Sequence, residues 1–351
     1  MARSKRSIIG GVDTHTATHH AAVIDLNGRL IADAEFPATP AGYAAMLTWM
    51  RNQGKLSRVG VEGTGAYGAG VARHLHEQGV EVLEVPRPDR RLRRQRGKSD
   101  PIDAEAAART VLAGTASSAP KLGDGPIEAI RMLRVARNGA VKARTAALNT
   151  LRSMVITAPE PLRAQLRSLS SAQLVAACAR LRPDLANLAE PAQAAKVALR
   201  SIALRVQHFD IETRSLRKQL DQLTQAAAPA TSAVFGLGPD TVSALLITVG
   251  DNPDRLRSEA AFAHLCGVAP IPASSGKTNR HRLHRGGDRA GNTALHIAAV
   301  VRLRYDPRSR AYADRRTTEG LSMPEIIRCQ KRYLAREIFH ALHADYTKLS
   351  T

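Results

Sequence analysis

The sequence predicts an α/β domain with a mixed sheet, followed by a mostly helical remainder (α/β plus all-α). Three observations predict it. The first third alternates short apolar runs and helical stretches in the order three strands, helix, strand, helix, strand, helix. Beyond a Gly-, Ser- and Pro-rich stretch at 114–126, apolar residues recur at helical spacing over long runs. Asp13 and Glu62 close two of the predicted strands, while Asp100 and Asp103 open a helix. The expected domains are 1–115, a helical region at 116–230, and 231–351.

Ser7 to Val12 reads as a buried strand ending at Asp13. His20 to Asp25 and Arg29 to Phe36 read as strands joined through Asn27-Gly28, a strong hairpin signal. Thr39-Pro40 opens a helix whose apolar face is Tyr43, Met46, Leu47 and Met50. Arg58 to Val61 is a short strand ending at Glu62. Ala66 to Gln78 reads as a helix stopped by Gly79, and Val80 to Val85 as a strand closed by Pro86.

The segment Lys98-Ser99-Asp100-Pro101-Ile102-Asp103-Ala104 follows a stretch dense in arginine. Arg90, Arg91, Arg93, Arg94, Arg96 and Lys98 are candidate contacts to a phosphate backbone. Pro101 suits the first turn of a helix, and a spacing of three puts Asp100 and Asp103 on one face. Taken alone, this supports two readings: acids that hold a cation, or a helix cap and a residue favoured by the helix dipole. The strand ends at Asp13 and Glu62 favour the first, because ends of neighbouring strands line a crevice. Four carboxylates in one crevice repel unless a cation neutralises them, and hard oxygens suit Mg²⁺ or Mn²⁺. His15, His19 and His20 are expected on the surface or in loops, with ligation as the alternative.

Composition narrows the function classes. A formal charge of +20 points to a polyanionic partner, foremost nucleic acid. Aromatic residues are only 3%, which argues against base stacking as the main binding device. Cys178, Cys266 and Cys329 are scattered without zinc spacing, as expected of a reducing cytoplasm. No apolar run is long enough to span a membrane, and the basic start lacks the apolar stretch of a signal peptide.

In the middle, a helix with a loose apolar stripe from Ile130 to Val155 stops at Pro159 and Pro161. A longer one runs from about Ala192 to Ala227, with Ile202, Val206, Phe209, Leu216, Leu220 and Leu223 near heptad spacing. The pair is read as an antiparallel hairpin or as a dimerising coiled coil. Phe235 to Val242 looks like a helix-hairpin-helix element whose Gly236 and Gly238 let backbone N–H groups approach a phosphate; an ordinary turn is the alternative. Ala273-Ser274-Ser275-Gly276-Lys277-Thr278 imitates a nucleotide-binding loop, but its leading glycine would have to be Ile271. Lys277, Arg280, Arg282, Arg285 and Arg289 follow Ser275 closely, where cations would stabilise an attacked phosphate. Asn292 to Arg304 and Met323 to Leu342 read as the last helices.

Gly11-Val12-Asp13-Thr14-His15, Gly60-Val61-Glu62-Gly63-Thr64-Gly65 and Lys98 to Ala104 resemble the three motifs of the DEDD transposases of bacterial insertion sequences, the IS-one-ten (IS110) family. Gly267-Val268-Ala269-Pro270, Ser275-Gly276-Lys277 and Arg285 to Asn292 resemble that family's C-terminal transposase domain. The resemblance implies an RNase H-like, RuvC-like N-terminal domain with metal-binding roles for Asp13, Glu62, Asp100 and Asp103. It implies a nucleophilic serine at Ser275, with Ser274 as fallback, and a transient serine–DNA link. It further implies donor and target DNA, a non-coding bridge RNA, a dimer or tetramer, and a bacterial, nucleoid-associated setting. The alternative is a metal-dependent Holliday-junction-type endonuclease without a serine step.

Overall fold

The first sheet is built from β1 (Ser7–Thr14), β2 (Thr18–Asp25), β3 (Leu30–Pro37), β4 (Lys55–Glu62) and β5 (Glu81–Val85). The computed structural model describes residues 6–85, 99–116, 119–121, 123, 125–251, 256–277 and 281–349. The chain divides into two compact units, Met1–Gly125 with Val249–Arg257 and Pro126–Thr248 with Ser258–Thr351.

In the first unit the strand order is β3-β2-β1-β4-β5. β1 is antiparallel to β2 and parallel to β4, and β5 is parallel to β4. Helices α1 (Pro40–Gln53) and α2 (Ala69–Glu77) pack on one face over Ile8, Val12, Val59 and Val61. Helix α3 (Asp100–Leu112) packs on the other, over Ile9, Ile24, Leu83 and Val85. Covered on both sides, β1 reads as an unbroken apolar run. Each fully buried Ile or Val there contributes about 1.5–3 kcal/mol. Thr39 caps α1 by accepting from the Gly42 amide.

Two neighbouring glycines seat α3. Gly11 and Gly60 are register partners on β1 and β4. A Cβ on Gly11 would lie 2.1 Å from the Ala104 carbonyl oxygen and 2.4 Å from the Ala108 nitrogen. One on Gly60 would lie 2.8 Å from the Ala107 carbonyl oxygen. The helix answers with alanines at 104, 107 and 108, all buried. Main chain therefore meets main chain.

Several boundaries of the first unit differ from expectation, and three by two residues or more. β4 starts at Lys55 rather than Arg58, because Lys55 and Leu56 pair with Ser7 and Ile8 of β1. β2 starts at Thr18 rather than His20, because His19 is buried and stacks on Tyr43 at 5.5 Å. α2 starts at Ala69 rather than Ala66, because Gly63 to Gly68 form turns in which the Gly63 carbonyl accepts from Ala66 and Gly68.

The second unit is helical. Its elements are α4 (Pro126–Thr157), α5 (Glu160–Leu166), α6 (Ser171–Ala179), α7 (Pro191–Ala227), α8 (Pro229–Ser232), α9 (Pro239–Val249) and α10 (Glu259–Leu265). A short hairpin follows, β6 (Ile271–Pro272) with β7 (His281–Arg282). Then come α11 (Arg289–Tyr305), α12 (Pro307–Thr318) and α13 (Met323–Leu349). Leu151 and Val155 of α4 share a core with Leu199 and Val206 of α7. Arg144 pairs with Asp210 at 2.5 Å further along, so the two helices run antiparallel. Val206 and Leu220 of the expected stripe are buried, and its other members are half-buried. Among the described residues, no helix is long and apolar enough to cross a membrane.

Gly11→Ala is expected to destabilise the first unit by about 3 kcal/mol, because backbone cannot give way as a side chain can. Gly65→Ala, with nothing within 4 Å of its added Cβ, should stay within about 0.5 kcal/mol of wild type. Urea titration of the full chain, followed by circular dichroism, measures both.

Candidate functional site

The parallel register pairs Val12 with Val61, so the next residues, Asp13 and Glu62, end adjacent strands. Helix α3 brings Asp100 and Asp103 to the same end through its contact with Gly11. Asp13, Glu62 and Asp103 are buried, and Asp100 is half-buried. The Thr14 hydroxyl donates to the Glu62 carbonyl at 2.9 Å and ties the two strand ends together. His15 joins the group: its Nε2 lies 3.2 Å from Asp13 Oδ2 and 3.2 Å from Asp100 Oδ1. Donor atoms of Asp13, His15 and Asp100 all lie within 4.8 Å of one another.

Burial pushes the Asp13 carboxyl above its ordinary range, His15 pulls it back, and Asp103 and Asp100 push it further up. Two unit charges roughly 5 Å apart repel by about 3 kcal/mol at an effective dielectric of about 20. A cation relieves that cost. The donors, two carboxylate oxygens and an imidazole nitrogen with buried Asp103 near enough to act on Asp13, fit a divalent ion.

The second unit carries the opposite charge. A cavity of about 1010 Å³ is lined by Arg282, Arg285, Arg289, Arg328, Lys331 and Arg332, with Glu325 as the one carboxylate among the lining residues. Its wall is a backbone clamp. A Cβ on Gly287 would lie 2.2 Å from the Gly267 nitrogen, so these two chain segments touch directly. The Asn292 amide donates to the Cys266 and Gly267 carbonyls, each at 2.9 Å. Lys331 Nζ donates to Asn292 Oδ1 at 2.6 Å. Burial holds the Lys331 ammonium below its usual pKa. Asp288 caps α11, accepting from Gly291 at 2.8 Å and from the Thr248 hydroxyl at 3.0 Å.

Ser275 is exposed on the loop between β6 and β7, next to Gly276, whose φ is 55°. Ser274 and Lys277 are exposed on the same loop. Arg282, Arg285 and Arg289 converge on the cavity, which neither Ser275 nor Lys277 lines. Gly236 and Gly238 are not in the lining either. Gly236 sits against α11, where Arg302 Nε donates to the Phe235 carbonyl at 2.8 Å. The Gly238 amide donates to Thr241 Oγ1 at 2.8 Å. Arg90, Arg91, Arg93, Arg94, Arg96, Lys98 and Arg280 lie outside the described residues.

Sequence reasoning missed one group and gave another only as its second reading. His15, expected on the surface or in a loop with ligation as the alternative, lies in the loop after β1, partly exposed, with its Nε2 between two carboxylates. Arg328, Lys331 and Arg332 face the cavity from α13; their three-and-four spacing marks one helix face.

Paired acids at adjacent parallel strand ends, closed by a helix, are consistent with a metal-dependent nuclease domain of the RNase H-like class. Residues 10–158 match the DEDD transposase model of IS110 elements, and residues 229–314 match the transposase model of the IS116/IS110/IS902 family. The chain belongs to the IS110 family of DEDD transposases. Over 113 residues it is 35% identical to a 43.6 kDa protein of insertion element IS110 from Streptomyces coelicolor, covering 31% of this chain and 27% of that protein. Over 119 residues it is 29% identical to a 42 kDa protein of insertion element IS900 from Mycobacterium paratuberculosis, covering 33% and 30%. The matched segments thus span less than a third of either relative.

Asn292→Ala leaves two carbonyls and Lys331 without their partner, and is expected to cost about 1–3 kcal/mol. A lower melting temperature of the full chain, by differential scanning calorimetry, checks it.

Proposed function

We propose that this chain is the transposase of an insertion sequence, cutting and rejoining DNA. The observation that carries the reading is the convergence of Asp13, Asp100 and Asp103 at one end of the β1/β4 pair. Family membership supports it. Asp13, Glu62, Asp100 and Asp103 would hold Mg²⁺ or Mn²⁺, with α3 fixing the last two relative to the first. When bound, such ions activate an attacking oxygen and stabilise a leaving one.

Ser275 is the proposed nucleophile. Its hydroxyl attacks a phosphodiester phosphorus, and the bond from phosphorus to one sugar oxygen breaks. The serine's proton passes, overall, to that leaving oxygen. The phosphoserine ester keeps the bond energy for rejoining, so no nucleotide cofactor is required. Exposure of Ser275 and Ser274 on a loop open to a polymer supports this assignment. The cationic cavity would hold backbone phosphates in positions set by Arg282, Arg285, Arg289, Arg328 and Arg332.

Reading of sequence is left to a bridge RNA in this proposal, in keeping with few aromatics and many cations. The α4–α7 pair is read as a coiled-coil arm for self-association into a dimer or tetramer, and 235–242 as a helix-hairpin-helix element.

Incubating the protein with Mg²⁺, element-end DNA and the RNA flanking the gene should give a protein–DNA adduct on a denaturing gel. The adduct should vanish in Ser275→Ala and in Asp13→Asn. Cutting by Ser275→Ala at the wild-type rate would favour the junction endonuclease instead. Arg328→Ala and Arg332→Ala should each weaken DNA binding across sequences and lower the slope of log affinity against log salt by about 1. Fluorescence anisotropy at several salt concentrations reads that slope.

A further inference from the structure

We propose that His15 is a direct ligand of the metal site and biases it toward Mn²⁺ over Mg²⁺. The inference rests on the reading of the acid cluster as a metal site and adds a ligand outside the four acids.

His15 is the first residue after β1, two positions beyond Asp13, and its ring reaches the Asp13 carboxylate. The His15 amide donates to the Thr18 carbonyl at 3.1 Å, which fixes the turn that follows. The ring nitrogen Nε2 is buried although 42% of the side chain is exposed. It makes no well-formed hydrogen bond, even with carboxylate oxygens of Asp13 and Asp100 each 3.2 Å away. A nitrogen aimed between two acids with poor hydrogen-bond angles is placed for a shared partner.

The spacing matches that partner. Ligand atoms in neighbouring octahedral positions, each about 2.1 Å from an ion, sit roughly 3 Å apart. Both separations from Nε2 are 3.2 Å. The donor set then has consequences. Mg²⁺ prefers oxygen ligands and sheds water reluctantly, whereas imidazole suits softer first-row ions. Replacing one oxygen ligand by an imidazole nitrogen therefore favours Mn²⁺.

The test uses the full-length protein with MnCl₂ and MgCl₂ alone. Calorimetric titration should give tighter binding of Mn²⁺ than of Mg²⁺ in the wild type. His15→Ala should lose at least about 10-fold in Mn²⁺ affinity while its Mg²⁺ affinity changes less than about 3-fold. His15→Gln, which keeps the reach but offers an amide, should also lose the preference. Pulsed electron paramagnetic resonance of the Mn²⁺ complex should show a nitrogen coupling in the wild type that is absent from both variants. Circular dichroism confirms that the variants are folded.

Mn²⁺ binding without a nitrogen coupling, or with equal affinity in His15→Ala, overturns the role of His15 and leaves the acid site standing. No Mn²⁺ binding by the wild type, or unchanged binding by Asp13→Asn, overturns the acid site and this inference together.

Discussion

The acid geometry of the N-terminal unit hangs on one contact, the backbone of α3 lying directly on the backbone of β1. Gly11 leaves no room for a Cβ beneath Ala104, and Gly60 repeats the condition on the next strand. Ala104, Ala107 and Ala108 complete a seam without a large side chain. The distance between sheet and helix is thus set by main-chain atoms in contact, in an interior packed too densely to yield. Asp103 precedes the seam by one residue and Asp100 by one turn. Their positions relative to Asp13 inherit that rigidity. A constellation built this way holds its spacing far better than one supported by long side chains, and phosphoryl chemistry is sensitive to misplacement near 1 Å.

The same contact makes the site costly. Burial of Asp13 next to Asp100 and Asp103 raises its carboxyl, because the ionised form loses water and gains repulsion. His15 offsets part of this. The second unit has the converse arrangement, with cations converging on a cavity and Lys331 depressed by burial. Each unit taken by itself is electrostatically incomplete: one wants a cation, the other an anion. Such incompleteness is common at functional sites and opposes stability elsewhere unless the surrounding packing is firm.

How far the sequence was legible follows from which physical signals are local. β1 and the second half of β4 are readable because double-sided burial leaves continuous apolar runs, and the acids stand where those runs stop. Short helices are not. Pro161 reads in the sequence as a helix stop, yet it sits in the first turn of α5, as Pro307 does in α12. Proline ends one helix and starts another by the same missing N–H, and sequence alone does not say which. The cavity-facing residues of α13 were hidden behind its apolar stripe of Ile326, Leu334 and Ile338. In a chain of charge +20, another basic helix face looks like any solvated one. Ligation by His15 is only a second reading in the sequence, because a histidine gains meaning only once its neighbours in space are known, and Asp100 lies 85 positions away in the chain.

Glycine shows most clearly where local reading runs out. A glycine in a motif marks a place where something approaches the backbone too closely for a Cβ, and the approaching group can be a phosphate or another stretch of chain. At Gly11, Gly60 and Gly287 it is chain: α3 at the first two, and Gly267 at the third. The Gly-rich segment 285–292 therefore works as a fastening, with Asn292 pinning Cys266 and Gly267 from the side. What that fastening presents to the cavity is guanidinium and ammonium groups on rigid elements. Binding strength in the second unit thus belongs to the cations, and their alignment belongs to the glycines. The N-terminal unit divides the work in the same way: the acids carry the chemistry, and Gly11 decides where the acids stand.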